Sequence, residues 1–331
     1  MIKSLVTNVK ATDGEDNLFR FKAPYVLVTG RNGAGKSSVM HGLELACFGQ
    51  VCDVVGKDIK LAKYLEYLSS ETHSVHARML TSEQERKSYP RHASDTGPDY
   101  LNSVPMALNA LKGSKAAFAK FLLKYLEKDV ELTLPIYGWD NVVTSSKNHR
   151  DALLRVEEST AKRLRTHRQT LKELDIAAKF CPDTPEMAAQ RMEAEEAVDT
   201  AKRHMKAVQR EMYRFVTEAA PGLLKSMERF LPESMGKPEL VMNSSDFTLG
   251  FVDRPYPSGA ETVALAVALA AAVLPTERSV YIFPDRAYDE DTLGKMMRAA
   301  RTIPALGVFI QSTVTPRNYD AEKLGWQILK V

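Results

Sequence analysis

One octapeptide constrains this chain more than any other feature. Gly30-Arg31-Asn32-Gly33-Ala34-Gly35-Lys36-Ser37 satisfies the spacing G-x-x-x-x-G-K-[ST] in full. The apolar run Tyr25-Val26-Leu27-Val28 ahead of it reads as a strand. Ser37 to Phe48 behind it reads as a helix, with Val39, Leu43, Ala46 and Cys47 at helical spacing. Strand, glycine loop and helix, in that order, make an anion site. The glycines let backbone N–H groups wrap phosphates, and the helix N-terminus adds its positive end. Lys36 can reach the β- and γ-phosphates, and the Ser37 hydroxyl can ligate Mg²⁺.

The rest of the chain reads as α/β, interrupted by helices. Ser4 to Val9 and Leu18 to Lys22 are short strand-like runs around the turn at Asp13-Gly14. Ile59 to Leu68 predicts a helix, His76 to Leu80 a strand, and the polar stretch Thr81 to Asp99 a loop. Val104 to Leu126 predicts one helix and Glu131 to Tyr137 a strand. Two long helices follow, at about 148–180 and 185–219, broken by Cys181-Pro182-Asp183-Thr184-Pro185. Thr184 can cap the second, with Pro185 in its first turn. There Ala194, Val198, Ala201, Met205, Val208, Met212, Phe215 and Ala219 recur in steps of four and three, a narrow coiled-coil seam. The first helix has a weaker seam, interrupted by Thr160 and His167. The pair predicts an antiparallel hairpin roughly 45 Å long at 1.5 Å per residue.

The last third returns to strands and helices. Leu240 to Asn243 and Phe247 to Val252 read as paired strands. Ser258 to Leu274 reads as a buried helix, Val280 to Phe283 as a buried strand, and Asp291 to Arg301 as a helix. Gly307 to Gln311 and Trp326 to Val331 read as further strands.

Composition excludes several classes. In 331 residues, 44% hydrophobic and 26% charged, there is no mark of wholesale disorder. Lys+Arg 45 against Asp+Glu 42 leaves +3, so any basic footprint must be local. The basic stretch Lys162-Arg163-Leu164-Arg165-Thr166-His167-Arg168 is such a footprint, with Lys202, Arg203, Lys206 and Arg210 in the second helix. It reads either as a phosphate-following face or as a solvated surface paired with acids such as Glu157, Glu158, Glu195 and Glu196. Cys47, Cys52 and Cys181 form no C-x-x-C pair and no zinc spacing with the histidines. His41 and His76 read as structural. The N-terminus lacks a signal-peptide h-region, and the most apolar run, Thr262 to Leu274, is shorter than the roughly 20 residues needed to span a bilayer. A cytoplasmic chain without a membrane segment is expected.

At these motifs the sequence resembles a family. Gly30 to Ser38, followed by Phe48-Gly49, is similar to the opening of an ABC-type ATPase head of the RecF/SMC kind, and the short arm is more like RecF. Pro257-Ser258-Gly259-Ala260-Glu261 resembles the family's signature motif, usually L-S-G-G-E/Q, although alone it is also a capping box. The resemblance implies a P-loop NTPase head split by an inserted helical hairpin. Its N-terminal half covers 1–147, the arm 148–220 and the C-terminal half 221–331. It implies an ATP site built from Gly30, Asn32, Gly33, Gly35, Lys36, Ser37 and Ser38. Ser258 and Gly259 would serve a nucleotide held by a second copy.

The departures from the family are equally specific. Val280-Tyr281-Ile282-Phe283-Pro284-Asp285-Arg286 occupies the Walker B place. Either Asp285 is the Mg²⁺-side carboxylate and Arg286 replaces the water-activating Glu, or Asp285 takes the Glu slot and Pro284 replaces the metal-side Asp. The first is preferred, which makes Asp285 and Ser37 the metal candidates and Asp285 and Lys36 the catalytic ones. Asp289, Glu290 or Asp291 is a candidate to compensate. Ile310-Gln311-Ser312-Thr313 stands where a switch histidine is expected, and Gln84 is the candidate for a Q-loop glutamine. The resemblance thus implies an ATP- and Mg²⁺-dependent homodimer with slow hydrolysis, acting on duplex DNA in replication, recombination or repair. A clamp on a protein partner, with little turnover, is the alternative.

Overall fold

The structure is a computed structural model. It describes all residues except 10–15, 52–53, 55–58, 70–73, 97–103, 127–128, 135, 137–138, 181–183, 243–246, 274–278, 285–286 and 318–319, and only the backbone of Met242. The chain divides into two compact units, 1–113 with 223–331, and 114–222.

Helix α1 (Lys36–Phe48) organises the first unit. Every residue from Val39 to Cys47 is buried. A helix buried on all sides needs cover on all sides, and two sheets supply it. One is antiparallel, in the order β2-β1-β4-β5, from β1 (Ile2–Thr7), β2 (Asn17–Arg20), β4 (Ala77–Thr81) and β5 (Arg86–Tyr89). The other is parallel, in the order β10-β3-β9-β8, from β3 (Tyr25–Thr29), β8 (Val280–Ile282), β9 (Gly307–Ser312) and β10 (Trp326–Lys330). Leu5, Ala77 and Met79 of the first and Val26, Val28 and Phe309 of the second join Val39, Leu43 and Ala46 in one core. Each fully buried Val, Leu or Phe there contributes roughly 1.5–3 kcal/mol. The contact with β1 is close enough to demand glycine. A Cβ on Gly42 would lie 2.8 Å from Thr7 Cγ2 and 3.1 Å from Leu5 Cδ2.

The remaining elements of this unit are α2 (Leu61–Leu68), α3 (Val104–Lys112), the hairpin β6 (Pro238–Met242) and β7 (Phe247–Phe251), α9 (Gly259–Val273) and α10 (Glu290–Ala300). Helix α8 (Pro221–Glu228) crosses the unit boundary in sequence and starts at a proline, a residue suited to a first turn.

The second unit is helical, with α4 (Lys115–Leu123), α5 (Trp139–Thr144), α6 (His149–Ala177) and α7 (Pro185–Ala219). Helices α6 and α7, of 29 and 35 residues, form the expected hairpin. Asn148 Oδ1 accepts from the Asp151 amide at 2.8 Å, and Thr184 Oγ1 accepts from the Met187 amide at 3.3 Å, so each helix is capped. On α7 the predicted seam is buried apart from Met205, which is half-buried. On α6 burial stops at Thr160.

Several expectations change. Glu131 to Tyr137 is not a strand where it is described. Val130, Leu132 and Leu134 are buried while Glu131 and Thr133 are exposed, so the alternation is real. Among the described residues no strand pairs with it; the Trp139 indole donates instead to the Leu132 carbonyl at 3.1 Å. The expected loop 81–99 contains β5, whose polar residues misled the reading. Asp95 makes β5 possible, accepting from the Ser88 amide at 3.2 Å, the Ser88 hydroxyl at 2.7 Å and the His92 amide at 3.2 Å. Burial alone would raise its pKa, but these bonds and Arg91 hold it below the usual carboxylate value. The single helix expected over 104–126 is two. Gly113 ends α3, and Ser114 caps α4 by accepting from the Ala117 amide at 3.3 Å.

Gly42→Val is expected to cost about 1–3 kcal/mol by overpacking, read as a lower urea midpoint with an unchanged m-value.

Candidate functional site

Strand β3 leads straight into the loop Gly30–Gly35, and α1 leaves it. β10 and β9 flank β3, pairing at Lys330↔Thr29 and Ser312↔Thr29. The loop therefore emerges at the carboxyl edge of a parallel sheet, where such sheets bind ligands. Backbone geometry explains its glycines. Gly33 and Gly35 have φ of 84° and 99°, a region costly for other residues. A Cβ on Gly30 would lie 2.6 Å from the Val331 carbonyl oxygen.

The helix start is open to an anion. No side chain caps α1, and its first turn carries no acidic residue. The first amides of any α-helix have no acceptor within it, so those of Lys36 and Ser37 are available to phosphate oxygens. Lys36 is buried, and its Nζ donates to the carbonyls of Gly30 and Arg31, both at 2.9 Å. The ammonium is held across the loop by two exchangeable bonds, placed for phosphate oxygens. Asn32 and Gly33 are exposed, and Ser37 and Ser38 half-buried, on the same turn. The structure thus brings Gly30, Asn32, Gly33, Gly35, Lys36, Ser37 and Ser38 into one cradle that suits a nucleoside triphosphate.

Ser258 and Gly259 form a second, separate loop at the start of α9, both exposed. Among the described residues no hydrogen bond joins it to Gly30–Ser38. Here the capping box is real. The Ser258 amide donates to Glu261 Oε2 at 2.8 Å, and the Glu261 amide to Ser258 Oγ at 3.4 Å. Arg254, missed in the sequence, holds Glu261. Its Nη1 lies 2.7 Å from Glu261 Oε1, its Nη2 donates to the Met235 carbonyl at 2.7 Å, and its guanidinium stacks over Phe251. No periodicity marks such a residue; only the fold brings 235, 251, 254 and 261 together. Gly259 has nothing within 4 Å of its missing Cβ, so its own chain does not require a glycine there.

Asp285 and Arg286 lie outside the described residues, and both Walker B registers stay open. The proposed substitutes are partly committed elsewhere. Asp289 caps α10, with its oxygens taking the Thr292 amide at 2.8 Å and hydroxyl at 2.6 Å; the hydroxyl bond, then the amide, lowers its pKa. Glu290 pairs with Arg317 at 3.0 Å. Asp291 lies in the first turn of α10. Gln84 is not at the phosphate end. It occupies the β4–β5 turn at φ 60°, its amide bonded to the Thr81 carbonyl. Thr81 pairs with Ile2, whose amide bonds Leu306 just before β9 begins. That is the amino edge of the parallel sheet, opposite the loop. His41 packs on Tyr64, and His76 pairs with Asp16, both structural roles. Cys47 is fully buried against Met79, and burial raises its pKa, so it is no nucleophile.

A family model described as an AAA domain matches residues 6–212. The chain belongs to this AAA-domain family. It has the fold of a P-loop ATPase and is ATP-binding. Among solved structures it is similar to the recombination mediator protein RecF with bound ATPrS, at 13% identity and TM-score 0.47, covering 100% of this chain and 96% of that one. It is also similar to a Smc head domain with an extended coiled coil bound to the C-terminal domain of ScpA, from Pyrococcus furiosus. That likeness has 12% identity and TM-score 0.38, covering 96% and 90%. No curated protein matches. No helix among the described residues is long and apolar enough to cross a membrane.

Lys36→Ala in this AAA-domain protein removes a charge-assisted phosphate contact. ATP affinity should fall about 10- to 100-fold, the equivalent of roughly 1.5–3 kcal/mol, by isothermal titration, with an unchanged circular dichroism spectrum.

Proposed function

We propose that this protein is an ATP-operated clamp of two copies that engages duplex DNA and hydrolyses ATP slowly. One observation carries the reading: a single compact unit holds a complete phosphate loop and a separate, exposed helix start at Ser258–Gly259, two halves of a pocket with no hydrogen bond between them among the described residues. In a symmetric pair each copy's Ser258 loop would close over the nucleotide on the other copy's loop. An isologous interface of this kind satisfies both sites at once. The open surroundings of Gly259 leave room for a phosphate to approach the backbone closely.

ATP supplies the γ-phosphate that only the closed pair grips, so closure follows binding free energy rather than turnover. Lys36 and the first amides of α1 hold the β- and γ-phosphates. Ser37 and Asp285 would hold Mg²⁺. Arg286 brings a positive charge to the slot of a water-activating carboxylate, while Asp289 and Glu290 already have partners. Hydrolysis should therefore run 10²- to 10⁴-fold below an ordinary ATPase of this kind.

The arm supports the DNA assignment. Lys162, Arg163, Arg165, Arg168 and Lys172 are exposed on α6, and among the described residues none forms an ion pair. Of the four acids expected to neutralise them, Glu157 pairs with Lys120 and Glu195 with Arg191, while Glu158 and Glu196 form no ion pair with these cations among the described residues. Unpaired cations on one helix fit a phosphate backbone without reading bases. A clamp on a protein partner is the second reading, favoured by the same weak chemistry.

Light scattering with ATP·Mg²⁺, with ADP and without nucleotide tests the clamp. Wild type should dimerise only with ATP·Mg²⁺. Ser258→Arg should bind ATP normally yet stay monomeric, and Lys36→Ala should do neither. A wild type that stays monomeric at saturating ATP·Mg²⁺ overturns the reading. For DNA, the triple change Arg163→Glu, Arg165→Glu and Arg168→Glu should weaken duplex binding and reduce the log–log salt slope by about 3. Unchanged affinity and slope would favour the protein partner.

A further inference from the structure

The antiparallel sheet has two unlike faces. One carries Leu5, Ala77 and Met79 and packs on α1. The other follows from register, because directly opposed residues of antiparallel strands share a face. Across the order β2-β1-β4-β5, one row reads Arg20, Ser4, Leu80, Arg86 and the next Leu18, Val6, Arg78, Ser88. This face is open. Arg20, Arg78 and Arg86 are exposed, Leu18 is 52% exposed, and Val6 and Leu80 are half-buried. Its charge has one sign. The four strands contain no acidic residue, and among the described residues none of the three arginines forms an ion pair. Asp16 precedes β2 and Asp95 follows β5, but both are engaged, Asp16 by His76 at 2.5 Å and Asp95 by Ser88 and His92.

A preformed wall stands along one side. Residues 90–95 and the outer halves of β4 and β5 enclose a groove of about 580 Å³, lined by Arg78, Leu80, Arg86, Ser88, His92 and Ser94 among others. Asp95 ties this loop to Ser88. Thr96 ties it to Arg86, whose amide donates to Thr96 Oγ1 at 3.0 Å and whose carbonyl accepts from the Thr96 amide at 2.9 Å. A ligand therefore has little left to order on binding.

We infer that this face docks an acidic amphipathic helix of a partner protein. Neighbouring strands lie about 4.8 Å apart, so the backbones of Arg20 and Arg86, on the two edge strands, stand roughly 14 Å apart. A helix with its side chains is about 10–12 Å wide. It fits between them with apolar residues on Val6 and Leu80 and carboxylates beside the arginines on both flanks. An apolar middle with arginine at its margin is the make-up of a protein interface. Nucleic acid matches less well. The two rows hold no aromatic side chain for a base to stack on, and a phosphate backbone gains nothing from Leu18, Val6 and Leu80. The face lies outside the phosphate loop, so its occupancy can be measured without nucleotide, whether or not the clamp reading holds.

The test titrates the full chain with three labelled helical peptides of about 18 residues, read by fluorescence anisotropy. The first has leucines at i, i+3, i+4 and i+7 flanked by glutamates. The second replaces the glutamates by lysines, and the third scrambles the first so that its leucines share no face. The glutamate peptide should bind at least about tenfold tighter than either other, and more weakly as salt rises. Arg20→Glu with Arg86→Glu should weaken it about tenfold or more and create affinity for the lysine peptide. Leu18→Ser, at an exposed position with no change of charge, should weaken it about threefold, and it keeps the test decisive if the charge reversal unfolds the chain. No binding of the glutamate peptide at about 1 mM, equal binding of all three, or indifference to both variants overturns the inference. So does a DNA duplex that displaces the glutamate peptide and is itself weakened by the charge reversal, which would assign the face to nucleic acid.

Discussion

The burial of α1 between two sheets governs this molecule. A helix covered on every side from Val39 to Cys47 cannot tilt or slide without opening the core against Leu5 and Thr7 on one side or Val28 and Phe309 on the other. Its N-terminus is therefore fixed at the carboxyl edge of the parallel sheet. Everything chemical follows from that placement. The loop that precedes α1 must turn back sharply from β3, which requires positive φ at Gly33 and Gly35. The lysine that opens α1 must lie across the loop it has just left. Packing free energy, spread over many apolar contacts, is thus converted into the position of a few amides and one ammonium.

The loops at Gly30 and at Ser258 differ in how they are held. The loop at Gly30 is kept by glycine conformation and by Lys36, and its helix start is uncapped. The loop at Ser258 is capped by its own Glu261, which Arg254 partly neutralises while also reaching Met235 and Phe251. Without Arg254, the carboxylate at the start of α9 would repel an approaching phosphate and weaken the very dipole that attracts it. The first loop is built to receive a ligand directly. The second has its helix start occupied by its own side chains.

Much of this was legible in residue order, and the limits have physical causes. The phosphate loop was readable because its chemistry depends on consecutive residues: three glycines, a lysine and a hydroxyl at fixed spacing. The seam of α7 was readable because a long helix repeats its period many times. β5 was not, since its polar residues hide a strand that is made by pairing with β4 and braced by Asp95, a residue outside it. The stretch around Leu132 showed a true alternation but not whether a neighbour would pair with it. The break at Gly113-Ser114 was signalled by a stop and a cap, and the apolar runs on both sides masked it. Gln84 failed as a Q-loop residue because its place depends on how β1 joins the two sheets through Leu306.

Arg254 and Gln311 show what lies beyond any one-dimensional reading. The first draws partners from positions 235, 251 and 261; the second is buried with its Oε1 unpaired. Both are consequences of register. Shifting β9 by one residue against β3 would turn Gln311 to the other face and bring an apolar neighbour to the loop, with little change in core composition. Keeping a glutamine there, against the apolar preference of a buried strand, costs stability in the free chain. That unpaired oxygen stands at the edge of the sheet where the phosphate loop begins.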